Sequence, residues 1–361
     1  MWHAPSIPIA REAHDVADPK RILVRAPNWA GDVVMATPGL RALRARFPVS
    51  RIDVALPEPL APLLHGLPHV DAVLSLRRPP GRGLAGLVRQ ARHLRESGPY
   101  DLGISLPDSF SSALLLWLTG ARPVVGYRGQ WRRALLGVAP PAPRDAQGGR
   151  LVPRERHVLG LIEALGGDGS DTGLELRTTP DERERARKAL ERCGLAEVGG
   201  RLALLAPGAS FGPSKLWPAE SFAAVGDGLA HRGFRVAVVG GPAERALARR
   251  VATAMRGEAV VLAGELDLGA FKAVVERAAL LVCNDAGARH VAVAFGVPAV
   301  VLMGPTALEK TGLNLERVRV LTAEADCRPC YRRHCPIDHR CMTGIPPERV
   351  LEAAAELGAF P

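Results

Sequence analysis

The sequence predicts an α/β protein of two domains, each a largely parallel sheet with helices on both faces. Three observations point there. Short apolar runs alternate with segments of helical period along most of the chain, the pattern of strands joined by helical crossovers. A length of 361 residues fits two ordinary domains better than one. The stretch from Leu280 to Pro305 then reads as a complete βαβ unit. Leu280 to Cys283 is an apolar run, Asn284-Asp285-Ala286-Gly287 a tight turn, and His290 to Phe295 a helical segment. After a Gly-Val-Pro break, Ala299 to Met303 is a second apolar run. Asn284 and Asp285 stand where a helix N-cap belongs.

Taken in order, residues 1–19 read as an N-terminal extension without the apolar core of a signal peptide. The first domain is expected over 20–172. Arg21 to Ala26 is a strand, followed by Pro27-Asn28-Trp29-Ala30-Gly31-Asp32 and one helix to about Phe47. Ile52 to Ala55 and Ala72 to Leu76 are strands, and Leu84 to Glu96 is a basic amphipathic helix. Asp101 to Leu106 is a strand, Ser111 to Leu118 an apolar helix and Pro123 to Gly126 a strand. A Pro/Gly-rich loop from Ala139 to Arg154 leads to a helix over His157 to Leu165.

The second domain is expected over 173–345. It has strands at Leu202 to Ala206, Arg235 to Val239 and Val260 to Leu262. Helices follow at Ala219 to Arg232, Ala246 to Met255 and Leu268 to Arg277, ahead of the βαβ unit. Residues 346–361 hold a final helix that opens on Pro-Pro-Glu.

Composition narrows the function. The formal net charge is +10 and Arg far outnumbers Lys, so an acidic partner is implied: nucleic acid, phosphosugar or an anionic membrane face. Only three Tyr and eight Phe occur, with no interleaving of aromatic and basic residues, which argues against a single-strand nucleic-acid platform. No run is long and apolar enough to span a bilayer. A cytoplasmic protein is expected.

Four strand ends carry chemistry. Asp32 lies beyond the first strand, as a helix N-terminal charge or as a base facing a cleft. Gly31 allows close backbone approach. In the loop from Gly208 to Lys215, Ser210 and Ser214 can donate hydrogen bonds and Lys215 can meet a phosphate, although the GxxxxGK[ST] order is absent. Glu244, after Gly240-Gly241-Pro242, stands where an acid takes ribose hydroxyls in dinucleotide folds, or simply where a helix favours a carboxylate. The turn at Asp285 and Gly287, with His290 on the next helical turn, exposes helix N-terminal amides to an anion.

These motifs together resemble the ADP-heptose–lipopolysaccharide heptosyltransferases of glycosyltransferase family 9, and most closely heptosyltransferase II. The matching text is RILVRAPNWAGDVVMATPGLRALRARFP, APGASFGPSKLWPAESFAAV, NDAGARHVAVAFGVPAVVLMGPT and CRPCYRRHCPIDHRCMTGIPPERV. The resemblance implies a GT-B fold, with two Rossmann-like domains facing a cleft, the acceptor on the first and the donor nucleotide on the second. It implies inverting transfer of a heptose from ADP-heptose to the lipopolysaccharide inner core, without a catalytic metal. Asp32 then corresponds to the general base and Lys215 to the cation on the donor phosphate. Glu244 contacts the nucleoside, and Asn284, Asp285, Ala286 and Gly287 meet the diphosphate with His290 behind them.

The chain departs from the pattern at Ala286, where the family usually has Ser or Thr, and at Arg289, where it has an apolar residue. The anionic acceptor is expected at Asn28, Trp29, Arg128, Arg132 and Arg133. Those last arginines, with Arg89, Arg92 and Arg95, also suit peripheral contact with the cytoplasmic face of the inner membrane. No nucleic-acid partner is expected. A protein or other glycan acceptor, and a nucleotide-sugar binder without catalysis, stay open as alternatives.

The segment 326–342 carries C-x2-C-x4-C-x5-C: Cys327, Cys330, Cys335 and Cys341. Metal-free thiols or a small structural metal site both suit it, though the spacing is not that of paired zinc knuckles. The resemblance implies that the chemistry requires no cofactor.

Overall fold

The computed structural model describes residues 18–77, 83–145, 147–149, 151–195 and 201–360. Most of the N-terminal extension therefore lies outside the described residues. Two compact units divide the chain. The first runs to Arg177 and takes in Glu309–Leu313, and the second is Thr178–Leu308 with Asn314 onward.

The first unit contains β1 (Arg21–Arg25), α1 (Ala30–Met35), α2 (Thr37–Arg46), β2 (Arg51–Pro57), β3 (Ala72–Leu76), α3 (Leu84–Glu96), β4 (Leu102–Ser105), α4 (Phe110–Thr119), β5 (Val124–Val125) and α5 (Arg154–Glu163). Its sheet has the order β3-β2-β1-β4-β5, with every ladder parallel. Ile22, Leu23 and Val24 of β1 are all buried, because helices cover both faces of such a sheet and leave no polar side. Leu23 packs with Leu94, Leu115, Leu116 and Val124 on one face.

The single helix expected after Asp32 is two. Ala36 ends α1 and serves as the N-cap of α2, whose opening contains Pro38. A proline has no N–H for the bond back to residue 34, so the helix restarts. The Thr37 hydroxyl donates to the Val34 carbonyl at 2.8 Å. The other strands and helices of this unit lie within a few residues of their expected places.

The second unit contains α6 (Pro180–Arg192), β6 (Leu202–Ala206), α7 (Ala219–Ala230), β7 (Arg235–Val238), α8 (Arg245–Ala254), β8 (Ala259–Val261), α9 (Leu268–Glu276), β9 (Leu280–Asn284), α10 (Gly287–Ala294), β10 (Ala299–Leu302), β11 (Val318–Leu321), α11 (Arg340–Thr343) and α12 (Pro347–Glu356). The sheet order is β11-β10-β9-β6-β7-β8, again parallel throughout. Trp217, Phe222, Leu229 and Val238 anchor its core together with Met342, Ile345 and Val350 from the end of the unit.

Sequence reasoning passed over α6. Its opening is a full capping box: the Thr179 side chain accepts from the Glu182 N–H while Glu182 accepts from the Thr179 N–H, with Pro180 at the first turn. Glu182 is fully buried against Lys272 of α9 at 3.0 Å. Among the described residues, no helix is long and apolar enough to cross a membrane.

Candidate functional site

All strands of each sheet are parallel, so their carboxyl ends share one edge. Ligands of open α/β sheets gather at that edge where the strand order reverses, because the crossovers there leave in opposite directions and open a crevice. The order places that point between β6 and β9 in the second unit, and between β1 and β4 in the first.

In the second unit, several of the residues expected at the donor come together at this point. Asn284, the last residue of β9, is buried. Its Nδ2 donates to the Pro207 carbonyl at 2.7 Å and its Oδ1 accepts from the Trp217 N–H at 3.2 Å. Asn284 therefore ties the two strand ends together, and both its polar atoms are committed within the protein. Lys215 Nζ donates to the Asp285 carboxylate at 2.5 Å and to the Asp285 carbonyl at 2.9 Å.

Thr306, which sequence reasoning missed, donates to the same carboxylate at 2.8 Å. Arg289 is buried, with its guanidinium 3.8 Å from the other Asp285 oxygen. Burial alone would raise the Asp285 carboxyl. The Lys215 charge and hydrogen bond, with Thr306 and Arg289, outweigh it and hold the group below its ordinary range. Two cations face one carboxylate, which leaves the cluster net positive.

The expected N-cap is displaced by one or two residues. Asn284 and Asp285 do not cap α10; Ala286 occupies the N-cap position and supplies no side-chain bond. The first amides of α10, from Gly287, therefore keep their hydrogen-bonding capacity for something else. His290 is buried, and desolvation, aided by the charge of Arg289, drives its imidazole down to about 3. At neutral pH it is an uncharged packing group, so it adds no positive charge towards a phosphate. The Cys283 thiol is likewise buried and pushed up to about 12 by desolvation, which makes it inert.

Glu244 caps its own turn, with Oε2 accepting from the Gly241 N–H at 2.7 Å. Its Oε1 makes no hydrogen bond among the described residues. That oxygen lies so close to Gly208 that a Cβ there would sit 1.8 Å from it. Glycine at 208 is thus what lets the carboxylate stand over the end of β6.

Ser210 is exposed. Ser214 is buried, and it faces the cysteine-rich segment: its hydroxyl donates to the Arg332 carbonyl at 2.5 Å and its N–H to the Arg333 carbonyl at 3.1 Å. His339 Nε2 meets the Ser214 carbonyl at 2.7 Å. The Arg333 carbonyl would stand 2.7 Å from any Cβ at Gly212, whose φ of +152° suits glycine. Ser214 is therefore an anchor of the lysine loop, and a direct hydrogen bond from its hydroxyl to a donor is not available.

The four cysteines of this segment are free thiols; Cys327 is exposed and Cys341 buried. Among the described residues, no three His, Cys, Asp or Glu side chains are placed to hold a metal ion. The segment's hydrogen bonds go to the loop before Trp217 and, from Cys330 and Tyr331, to the Pro305 carbonyl.

In the first unit, Asp32 sits in the first turn of α1 and is half-buried, with Arg154 Nε 3.5 Å from its carboxylate. Asn28 and Trp29 are exposed, the indole by 52 %. Across the reversal point, Asp108 follows β4. His157 Nε2 lies 3.0 Å from it and Arg132 donates to it at 2.6 Å. Burial would raise the Asp108 carboxyl, but His157 and Arg132 prevail and lower it.

Arg132 is only 1 % exposed and also donates to the Tyr127 and Pro107 carbonyls. Its guanidinium holds Asp108 and the loop after β5, so it cannot serve as the free surface cation that was expected. Arg128 and Arg133 are exposed.

Charged and polar side chains gathered at the carboxyl ends of two parallel sheets are where α/β enzymes bind their ligands. Comparison with known proteins makes this specific. Residues 87–340 match the family model of glycosyltransferase family 9 (heptosyltransferase), and the chain belongs to that family. It is a glycosyltransferase, and its two sheets are the Rossmann-like sheets of a GT-B fold.

The chain is 29 % identical to lipopolysaccharide heptosyltransferase 2 of Salmonella typhimurium, over 92 % of this chain and 97 % of that protein. Among solved structures it is similar to a family 9 glycosyl transferase from Veillonella parvula, with TM-score 0.81, 27 % identity and coverage of 94 % and 97 %. It is also similar to ADP-heptose lps heptosyltransferase II of E. coli, with TM-score 0.74, 26 % identity and coverage of 93 % and 98 %.

Proposed function

We propose that the protein transfers a heptose from ADP-heptose to the inner core of lipopolysaccharide, with inversion. The Salmonella relative is named for heptose and lipopolysaccharide, and the E. coli structure for ADP-heptose as well. The observation that carries the reading is the Lys215–Asp285–Thr306 cluster beside the uncapped start of α10, at the strand reversal of the second unit.

A leaving nucleoside diphosphate gains negative charge as the glycosidic bond breaks. Fixed N–H donors and a lysine already held in place stabilise that charge without reorganising. Asp285 orients Lys215 and uses two of its contacts, while the remaining ammonium donor capacity and the α10 amides are left for phosphate oxygens. Glu244 Oε1 is the acceptor for ribose hydroxyls. Ser210 is placed as an exposed donor on the same loop.

Asp32 takes the proton of the acceptor hydroxyl, a poor nucleophile that general-base help accelerates about 10²–10⁴-fold. Its contact with Arg154 steadies the carboxylate. Asn28, Trp29, Arg128 and Arg133 meet the acceptor, while Arg132 acts through Asp108. The lipid-anchored acceptor brings the enzyme to the cytoplasmic face of the inner membrane, where exposed arginines meet anionic headgroups.

The test is transfer from ADP-heptose to core-truncated lipopolysaccharide by the purified full chain, with calorimetric comparison of ADP-, UDP- and GDP-sugars. Transfer together with preference for the ADP-sugar supports the reading. Preference for a UDP- or GDP-sugar, or labelling of a polypeptide instead of the lipopolysaccharide, overturns it.

A further inference from the structure

Arg25 is the last residue of β1, at the strand reversal of the first unit, and only 8 % of it is exposed. Its ladder neighbours are the small residues Ala55 and Ser105, which leave room for a long side chain to fold back at the sheet edge. The guanidinium donates to the Ala26 carbonyl and to Asn28 Oδ1, so it lies under the turn that leads to Asp32.

Both partners are neutral. Of its five N–H donors, two are used, and the other three have no acceptor among the described residues. The other carboxylates at this edge are engaged elsewhere: Asp32 with Arg154, Asp108 with Arg132 and His157, Glu58 with Arg77. Burial pulls Arg25 down to about 10, with no opposing pull from a carboxylate.

A buried cation without a counter-charge is a standing cost to the fold. Apolar side chains fill such positions more cheaply. A guanidinium kept there, with its planar fork partly unused and a proton acceptor one turn away, matches a ligand oxyanion better than it matches the fold. We infer that Arg25 is the anion-recognition residue of the acceptor site, engaging a carboxylate or phosphate of the saccharide and so placing its hydroxyl beside Asp32. The inference rests on the transfer reading for the word acceptor, but the oxyanion site itself can be tested without turnover.

The experiment uses full-length wild type, Arg25→Met and Arg25→Lys. In chloride buffer the Met variant should melt no lower than wild type, since it removes an uncompensated charge. Inorganic phosphate at equal ionic strength should raise the wild-type Tm more than that of the Met variant. In the transfer assay the acceptor KM should rise about 10- to 100-fold in the Met variant, the size expected for one charged hydrogen bond. The Lys variant should fall between, and the donor KM should stay within about twofold in both.

Acceptors lacking phosphate, or with the sugar carboxylate reduced, identify the anion. The one that removes the difference between wild type and variant carries the group that Arg25 binds. If the Met variant does not fold, the Lys variant decides by the same split of KM values. Unchanged acceptor KM, or donor and acceptor KM rising together, overturns the inference. No transfer to any acceptor defeats the functional reading instead, and the phosphate shift then still reports on Arg25.

Discussion

The two sheets reverse their strand order at equivalent places, yet they handle charge there in opposite ways. In the second unit the cation Lys215 is closed onto Asp285, and Thr306 and Arg289 complete a cluster in which every member has a partner. In the first unit Arg25 is buried with neutral partners, and Asp32 is half-exposed with a single arginine 3.5 Å away. The difference teaches what each site waits for. On the proposed function, the self-supporting cluster is a preformed cradle for the constant diphosphate of a donor. An incompletely paired edge is finished by the molecule that arrives.

Substitutions should break this contrast in graded ways. The largest effect is expected from Asp32→Asn. It should lower kcat about 10²–10⁴-fold while ADP-heptose affinity by calorimetry is unchanged. A variant that keeps turnover within about tenfold of wild type would remove Asp32 from the role of base.

Lys215→Met should lower kcat about 10²–10³-fold, as for the loss of one preorganised donor to a developing anion. It should also destabilise the fold by about 1–3 kcal/mol, because Asp285 loses its closest cation while buried. Chemical denaturation reads that loss directly. The two cations should therefore differ in sign of stability effect: loss of Lys215 weakens the fold and loss of Arg25 does not. Equal losses of stability would erase the distinction between the two edges.

The smallest effect concerns pH. The His290 imidazole is depressed from 6.5 to about 3. Between those values the unfolded chain binds the proton and the folded one does not, so stability falls as pH falls through that window, by up to about 1.4 kcal/mol per unit. Asp285 is also depressed, but its contribution is lost only below its unfolded value of 3.8. Denaturation at pH 7 and pH 5 should thus show wild type losing about 2 kcal/mol more than His290→Asn. An equal loss in both would show that His290 takes up its proton within the folded state.

The parallel α/β architecture was legible because helices on both faces turn strands such as β1 and β9 into unbroken apolar runs. The gathering of Lys215, Asn284 and Asp285 was legible too, since these residues lie in compact loops at strand ends. What escaped has physical reasons. The helix α6 is strongly charged, with a sparse apolar face of Ala186, Ala189 and Leu190, so periodicity is weak; the Thr179-Pro180-Asp181-Glu182 capping box was the signal to use. Arg132 looked like one more surface arginine, and only the fold shows it buried beneath Asp108. Arg25 sat inside a strand pattern, where a lone charge is invisible without knowing which strand end it occupies. Thr306 is twenty-one residues from the carboxylate it supports, and nothing local marks that pairing. Ala286 gave a mixed lesson: its missing hydroxyl is plain in the sequence, but the uncapped helix start is not, because Asn284 and Asp285 beside it look like the cap.

The clasp of residues 332–339 on the lysine loop has a consequence for the order in which the protein comes to life. A nascent chain halted before Arg332 already contains Lys215, Glu244 and Asp285, but it lacks the carbonyls that hold Ser214 and the imidazole that meets it. Its lysine loop would be tied only on the side of Asn284 and Asp285. On the proposed function, the donor cradle therefore gains its last supports late in translation.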